Sequence, residues 1–576
     1  MTDQTPALIS SSIFKKSIFA LSTLSLAIHA GAVSHSVMVD QSDSGDVSST
    51  GINLPADFAS SRYSGERPHM KLMYDWPWNE SDPDKEYAGF RPGDYHIYVV
   101  NNNGVSQGEI QYSKNRLAKQ ADTNWDATLE RHVPFNVTTS GKQVGLYMGE
   151  WGSWERAYPS EMIAANNITH LYYGFVGLCD YERIGANGNT GLDSEFGKNS
   201  GNGKTMQAAC GQGMAPNYTK TREADLVQLG VTEEKGDFEV SSYDYLAFPH
   251  HITAIEKMKQ QAPHLKAILS VGGWTLSDPF YDMADSASYR HTFVNSVVGF
   301  VKEHRVFDGI DIDWEFPGGR GATAGLSKGY QQDRDNYTAL IKELRNALTN
   351  NFGSEFELSA ALSASPSKLA SIDLNALKDD FSYINVMTYD LYGAWGKDPS
   401  HHAAAYAKPV AAAYKTGVNE ATVDEDGRTI LVAGDTTTTA DVLRGYSSEG
   451  AIEAIRAMYP NFPMEKLNLG VASYSRGWQE ITVNSNHDKL FWHGQAQKHS
   501  EGYGMAGTYQ VGVSDFRDVY DHQMTGNAVN LYYDEQAKAA YTWQESGRRG
   551  NTISAQVESF DSPRSVIDKG ELMAKY

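Results

Sequence analysis

Phe307-Asp308-Gly309-Ile310-Asp311-Ile312-Asp313-Trp314-Glu315 alternates apolar and acidic residues from Ile310 onward. Strict alternation is a strand pattern, because successive side chains of a strand point to opposite faces. Asp311, Asp313 and Glu315 then share one face, and Ile310, Ile312 and Trp314 share the other. Neighbours on one face lie about 6–7 Å apart. Three carboxylates at that spacing cannot all ionise cheaply, so at least one pKa is raised. A metal site, a solvated strand edge and acid–base catalysis are the available readings. No His or Cys accompanies the cluster, which weighs against a metal, and the interleaved residues are large and apolar, which weighs against a solvated edge. Acid–base catalysis is the natural use, since a carboxylic acid held protonated near neutral pH can protonate a glycosidic oxygen.

Outward from this stretch, short apolar strands alternate with longer helical segments. Val144–Met148, Ile168–Tyr173, Lys266–Val271, Gly309–Asp313, Leu358–Leu362, Tyr383–Met387 and Leu467–Ala472 are the expected strands, with helices such as Ser288–Glu303 and Asp335–Asn350 between them. Alternating β and α units imply a parallel sheet with right-handed crossovers. Seven such strands point to an α/β fold of the (β/α)8 TIM-barrel type, with Glu315 at the strand end where barrels collect catalytic groups. Two segments interrupt the pattern. Residues 180–245 form a Gly- and Asn-rich excursion, and residues 475–560 read as an inserted α+β lobe. The chain closes on a helix-like SPRSVIDKGELMAKY.

The N-terminal quarter has another character. Lys15 and Lys16 precede an apolar stretch and then Ala30-Gly31-Ala32, so residues 1–32 read as an export signal or as a retained segment that packs on this chain or a partner. The stretch is too short to span a bilayer. Residues 33–60 have linker composition, and residues 61–140 read as a small β-rich module around His96–Val100 and GEIQY.

Composition narrows the partners. The formal charge of −22 repels phosphate backbones, which excludes nucleic acid as a partner, while a neutral polymer is not repelled. Tyr, Trp and Phe make up 11% of the chain, which suits either a core or stacking against sugar rings. Cys179 and Cys210 are the only cysteines; they form one bridge or remain two buried thiols. His401 and His402 lack further ligands nearby in sequence and are expected to face solvent rather than a metal.

The segment DGIDIDWE resembles the DxxDxDxE signature of family 18 glycoside hydrolases. LSVGGW (Leu269 to Trp274), VMTYD (Val386 to Asp390) and YSRGW (Tyr474 to Trp478) are similar to that family's third-, sixth- and seventh-strand motifs, in the same order. The resemblance covers residues 144–576 and is strongest to ChiA-type bacterial chitinases, a group that includes chitinase subunits of insecticidal toxin complexes. It implies hydrolysis of chitin or chitooligosaccharides without cofactor or metal, through attack by the substrate's own acetamido group. On this resemblance Glu315 is the general acid and base, Asp313 orients the acetamido group, Asp311 shares a proton with Asp313, and Tyr389 binds the acetamido oxygen. Met387, Asp390, Tyr474 and Arg476 flank the reacting sugar. Trp151, Trp154, Trp274, Phe316 and Trp395 follow strand ends and line the cleft, with Tyr509 as a wall. Ser270, Gly272 and Gly273 let backbone and substrate approach closely, or merely make a tight turn. A Cys179–Cys210 disulfide, export from the cell and toxin-complex partners are further implications. Non-catalytic relatives lose the acid, which is intact here; an endo-acting hydrolase of N-glycan cores is the alternative within the family. The family's eighth strand, with its tryptophan, has no counterpart before Tyr576, so a C-terminally truncated, open barrel is expected.

Overall fold

A computed structural model of the 576-residue chain describes residues 98–100, 130–132, 142–153, 163, 165–180, 209–210, 235–243, 248–319, 321–322, 325–407, 420–423, 429–432, 446–499, 502–508, 510–516, 519 and 530–576. The expected export signal and linker, GEIQY, Trp154 and Tyr509 lie outside these residues. Two compact units are present, one of residues 1–145, 150–169 and 249–265, the other of residues 146–149, 170–248 and 266–576. In the first, Tyr98–Val100 pairs in parallel with Glu130–His132, and helix Phe248–Gln261 supplies most of the remaining regular structure.

The second unit is built on one run of strands: β1 (Gly145–Gly149), β2 (His170–Leu178), β3 (Lys266–Gly272), β4 (Gly309–Asp313), β5 (Glu357–Ser363), β6 (Tyr383–Met387) and β7 (Leu467–Leu469). Their spatial order is their chain order, and β2 to β7 pair in parallel. A sheet that winds in one direction, with no reversal of strand order, is the (β/α)8 type rather than the doubly wound type. Among the described residues seven strands make up this run, with β1 and β7 at its ends. The short strand Val240–Ser242, inside the long excursion, adds antiparallel to the end of β2.

The sequence explains why these elements form. In helix Ala287–Glu303 the residues Phe293, Val294, Val297, Val298, Phe300 and Val301 are buried, a spacing of three and four that makes one apolar stripe. Each such side chain contributes about 1.5–3 kcal/mol on burial. Strand β4 is buried along its whole length. Trp314, on the face opposite the acids, stacks on Phe280 at 5.6 Å and meets Tyr281 edge-on at 5.2 Å.

The inserted lobe is an antiparallel sheet of β8 (Ser475–Asn484), β9 (Gln495–Ala496), β10 (Asn530–Asp534), β11 (Ala539–Arg549) and β12 (Thr552–Phe560), ordered β9-β8-β12-β11-β10. It was expected as α+β; in its described residues the helical part is short turns such as Ser485–His487 and Phe491–His493. Trp478, Ile481, Phe491, Trp543 and Val557 form its core, so the aromatic runs supply sheet packing rather than helix faces. The C-terminal helix Pro563–Lys575 starts on a Ser562–Ser565 capping box with Pro563 in its first turn. Its buried Lys569 pairs with Asp561 at 2.8 Å and donates to the carbonyls of Thr388 and Gly470, at the ends of β6 and β7. That pins the chain beside Tyr389 with a fully partnered buried charge.

Candidate active site

The register of the parallel sheet sets the site. Ser270 of β3 and Ser359 of β5 are the lateral neighbours of Asp311. Their hydroxyls donate to the two oxygens of Asp311, at 2.8 Å to Oδ2 and 2.7 Å to Oδ1. Tyr147 of β1 donates to Oδ2 at 2.9 Å, and Asn385 of β6 donates to Tyr147 at 2.9 Å and to Asp311 Oδ1 at 3.5 Å. Burial pushes the Asp311 carboxyl up, and these donors pull it back, because each bond to the anion favours ionisation.

Asp313 is provided for differently. It is buried, and its Oδ1 has no hydrogen-bond partner. Burial, then the charges of Glu315 and Asp311, push its pKa well above the usual carboxylate range. Glu315 lies just beyond the end of β4 and is partly exposed. Burial raises its pKa to about 7, helped by Asp390 and opposed by Lys368 and a backbone hydrogen bond from Trp274. The arrangement therefore offers an acid that can give and take a proton near neutral pH, beside a second carboxyl of raised pKa whose Oδ1 has no hydrogen-bond partner.

The turn after β3 is made of glycine for a spatial reason. A Cβ on Gly272 (φ +112) would lie 2.3 Å from the carbonyl oxygen of Asp313, and Gly273 has φ +83. The positive-φ turn brings the backbone of this pair against the carboxylate strand.

On the far side, Asp390 (φ +54) accepts both forks of Arg476, at 2.8 and 2.7 Å. Burial works against ionisation of Asp390, but Arg476 and His402 overcome it and hold the carboxyl well below its ordinary value. The Arg476 guanidinium also lies over the rings of Trp395 (5.1 Å) and Tyr474 (5.5 Å), and Tyr474 meets Tyr389 edge-on at 6.1 Å. Burial, then Asp313 and Glu315, raise the Tyr389 phenol, so it stays a neutral donor. Met387 ends β6, partly buried.

Several expected positions need correction. Phe316 is 8% exposed, buried under Lys368, whose ammonium sits 3.6 Å from the ring centroid. It is packed between Lys368 and Trp274 (6.4 Å) rather than open to a ligand. His401 and His402 are buried, not solvent-facing: His401 Nε2 bonds Asp534 at 3.1 Å and His402 lies beside Asp390 and Tyr474. The lobe covers both, which the loop sequence does not reveal. Trp151 (42% exposed), Trp274 (47%) and Trp395 (62%) remain open to solvent. Cys179 and Cys210 form a disulfide with Cα atoms 5.9 Å apart. Among the described residues no group of three or more His, Cys, Asp or Glu is placed to hold a metal, and no helix is long and apolar enough to cross a membrane.

Sequence reasoning missed Tyr147, Ser359, Asn385 and Lys368. The first three are visible only as polar residues at inward positions of neighbouring strands, once the register is known. Lys368 sits in the short helix Pro366–Leu369 after β5; burial lowers its pKa to about 8, against the pull of Glu315.

The model of the glycosyl hydrolases family 18 matches residues 143–576. Chitinase A of Pseudoalteromonas piscicida is 31% identical over 453 residues, covering 76% of this chain and 49% of that protein. A probable endochitinase of Orgyia pseudotsugata multicapsid polyhedrosis virus is 32% identical over 435 residues, covering 74% and 66%. This chain thus spans about half to two thirds of the length of these curated relatives. The solved chitinase ChiA74 from Bacillus thuringiensis shares the fold, with a TM-score of 0.54 at 23% identity over 75% of this chain and 64% of the other.

Proposed function

Because the chain belongs to the glycosyl hydrolases family 18, we propose that it is a chitinase that cleaves β-1,4 bonds between N-acetylglucosamine units with retention, using the substrate's acetamido group as nucleophile. Glu315 carries the reading: a carboxyl at the open end of β4, raised to about 7 by burial. Its proton passes to the glycosidic oxygen as the C1–O bond breaks, while the acetamido carbonyl oxygen bonds C1 from the opposite face. Water then attacks C1 as the bond from C1 to the acetamido oxygen breaks, and Glu315 takes the water's proton. Asp313 accepts the acetamido N–H on its unpartnered Oδ1. The positive charge growing on the oxazolinium ring favours ionisation of Asp313. Asp311, held by the hydroxyls of Ser270, Ser359 and Tyr147, stands behind it to take the proton that Asp313 gives up. Tyr389 donates to the acetamido oxygen, with Met387, Asp390, Tyr474 and Arg476 around the same sugar. Trp274 and Trp395 supply exposed faces for further sugars, and Trp151 keeps an exposed face of its own.

Residues 144–576 form the catalytic region in this reading, and residues 61–140 a separate module. The basic and apolar start of the chain supports export. Resemblance to chitinase subunits supports membership of a larger assembly, which the mass of the native particle tests. The reaction itself is tested by nuclear magnetic resonance of the first products from an N-acetylglucosamine tetramer. The β-anomer should appear first; early α-anomer rules out acetamido participation.

A further inference from the structure

We propose that Ser277 is a positioning residue for the acid, acting through the backbone on which Glu315 is mounted; this rests on the reading of Glu315 as the proton donor. Ser277 follows the short turn Trp274–Leu276 and is fully buried. Its Oγ donates to the carbonyls of Gly273 (2.8 Å) and Asp313 (3.1 Å), which share its one proton, and accepts from Glu315 N–H (2.8 Å). The bond to Gly273, four residues back, is the ordinary way a serine closes a turn. The bonds to Asp313 and Glu315 cross to another strand and have no part in that closure.

The same segment grips the chain on both sides of Glu315. Gly273 N–H donates to the Asp313 carbonyl at 2.8 Å. Beyond Glu315, Tyr281 OH donates to the Phe316 carbonyl (2.9 Å) and accepts from Phe316 N–H (3.3 Å). Within this clamp Ser277 is the group that meets the Glu315 peptide itself. Buried backbone N–H groups need a partner. Without the hydroxyl, Glu315 N–H must find another, and the side chain moves with it. A misplacement of about 1 Å costs about a hundredfold in a positioned reaction.

Ser277→Ala tests this on two substrates, an N-acetylglucosamine tetramer and a 4-nitrophenyl chitobioside. The sugar leaving group needs the proton and the acidic phenol needs it far less, so a defect in proton delivery falls chiefly on the first substrate, while the water step is common to both. The expected result is a 10- to 100-fold loss of turnover on the tetramer, roughly the scale of general acid catalysis, with KM within about twofold and less than about threefold loss on the aryl substrate. Equal losses on both substrates, or near-normal turnover on both, overturn the proposal. Should the alanine variant not fold, Ser277→Cys keeps the branching with a somewhat larger atom that is a weak donor and acceptor, and the same ratio is read. Glu315→Gln is measured beside it. If that variant keeps tetramer turnover, the reading of Glu315 is what fails. If it loses turnover and the Ser277 variants show no substrate dependence, Ser277 alone is wrong.

Discussion

Asp311 and Asp313 stand two residues apart on one buried strand, yet the fold treats them oppositely. Asp311 is met by Ser270, Ser359, Tyr147 and Asn385, whereas Asp313 keeps an oxygen with no partner. Burial is common to both, so the difference lies in the donors that Asp311 gains and the neighbouring charges that Asp313 meets. The lesson is that a strand of acids becomes useful when the sheet register hands donors to one member and withholds them from the next. Burial raises both carboxyls, with donors offsetting part of the rise at Asp311 and neighbouring charges adding to it at Asp313, while Glu315, at the strand end, is raised to about 7.

The sharpest way to break this comparison is Asp313→Ala, which removes the undersupplied carboxyl. Turnover on chitooligosaccharides should drop about 100- to 1,000-fold, the scale of losing one preorganised electrostatic group. A loss under tenfold means the free oxygen does no chemistry. Asp311→Asn attacks the supplied member. Its amide brings donors where hydroxyl donors already point, so stability should fall by about 1–3 kcal/mol in a urea titration, with about a tenfold loss of turnover. An unchanged urea midpoint contradicts a donor-held anion. Tyr147→Phe takes away one donor, and about 1 kcal/mol should go with it; if stability is untouched, that bond carries no weight.

The smallest effect is thermal and pH-dependent. A carboxyl raised in the folded state, as Glu315 is to about 7, favours folding below its unfolded pKa. That contribution is lost as pH rises through about 7. Glu315→Gln, which cannot ionise, should therefore melt about 2–4 °C above the unaltered protein at pH 8 and show no such gain at pH 4. A gain at pH 4 alone reverses the sign and refutes a raised pKa.

Much of this was legible in the sequence. Gly309–Asp313 and Tyr383–Met387 were found to the residue, because alternating or continuous β-branched runs between turn residues admit little else. β2 runs on to Leu178, since Val176–Leu178 gains an antiparallel partner from a remote excursion. β7 ends early at Leu469, where Gly470 turns in to donate to Val386. The carboxylates were legible because two lie on one strand and the third follows directly at its end. Their partners were not, because Tyr147, Ser270, Ser359 and Asn385 come from four other strands and meet only through register. His401 and His402 were misplaced for a similar reason: burial under the lobe depends on contacts more than a hundred residues away in sequence.

The central claim is that Glu315 delivers the proton, and its most direct test is the turnover of Glu315→Gln on an N-acetylglucosamine tetramer, measured with its affinity for the same oligomer. The account predicts a loss of at least about a hundredfold in turnover with binding retained. Turnover within about threefold of the unaltered protein contradicts it.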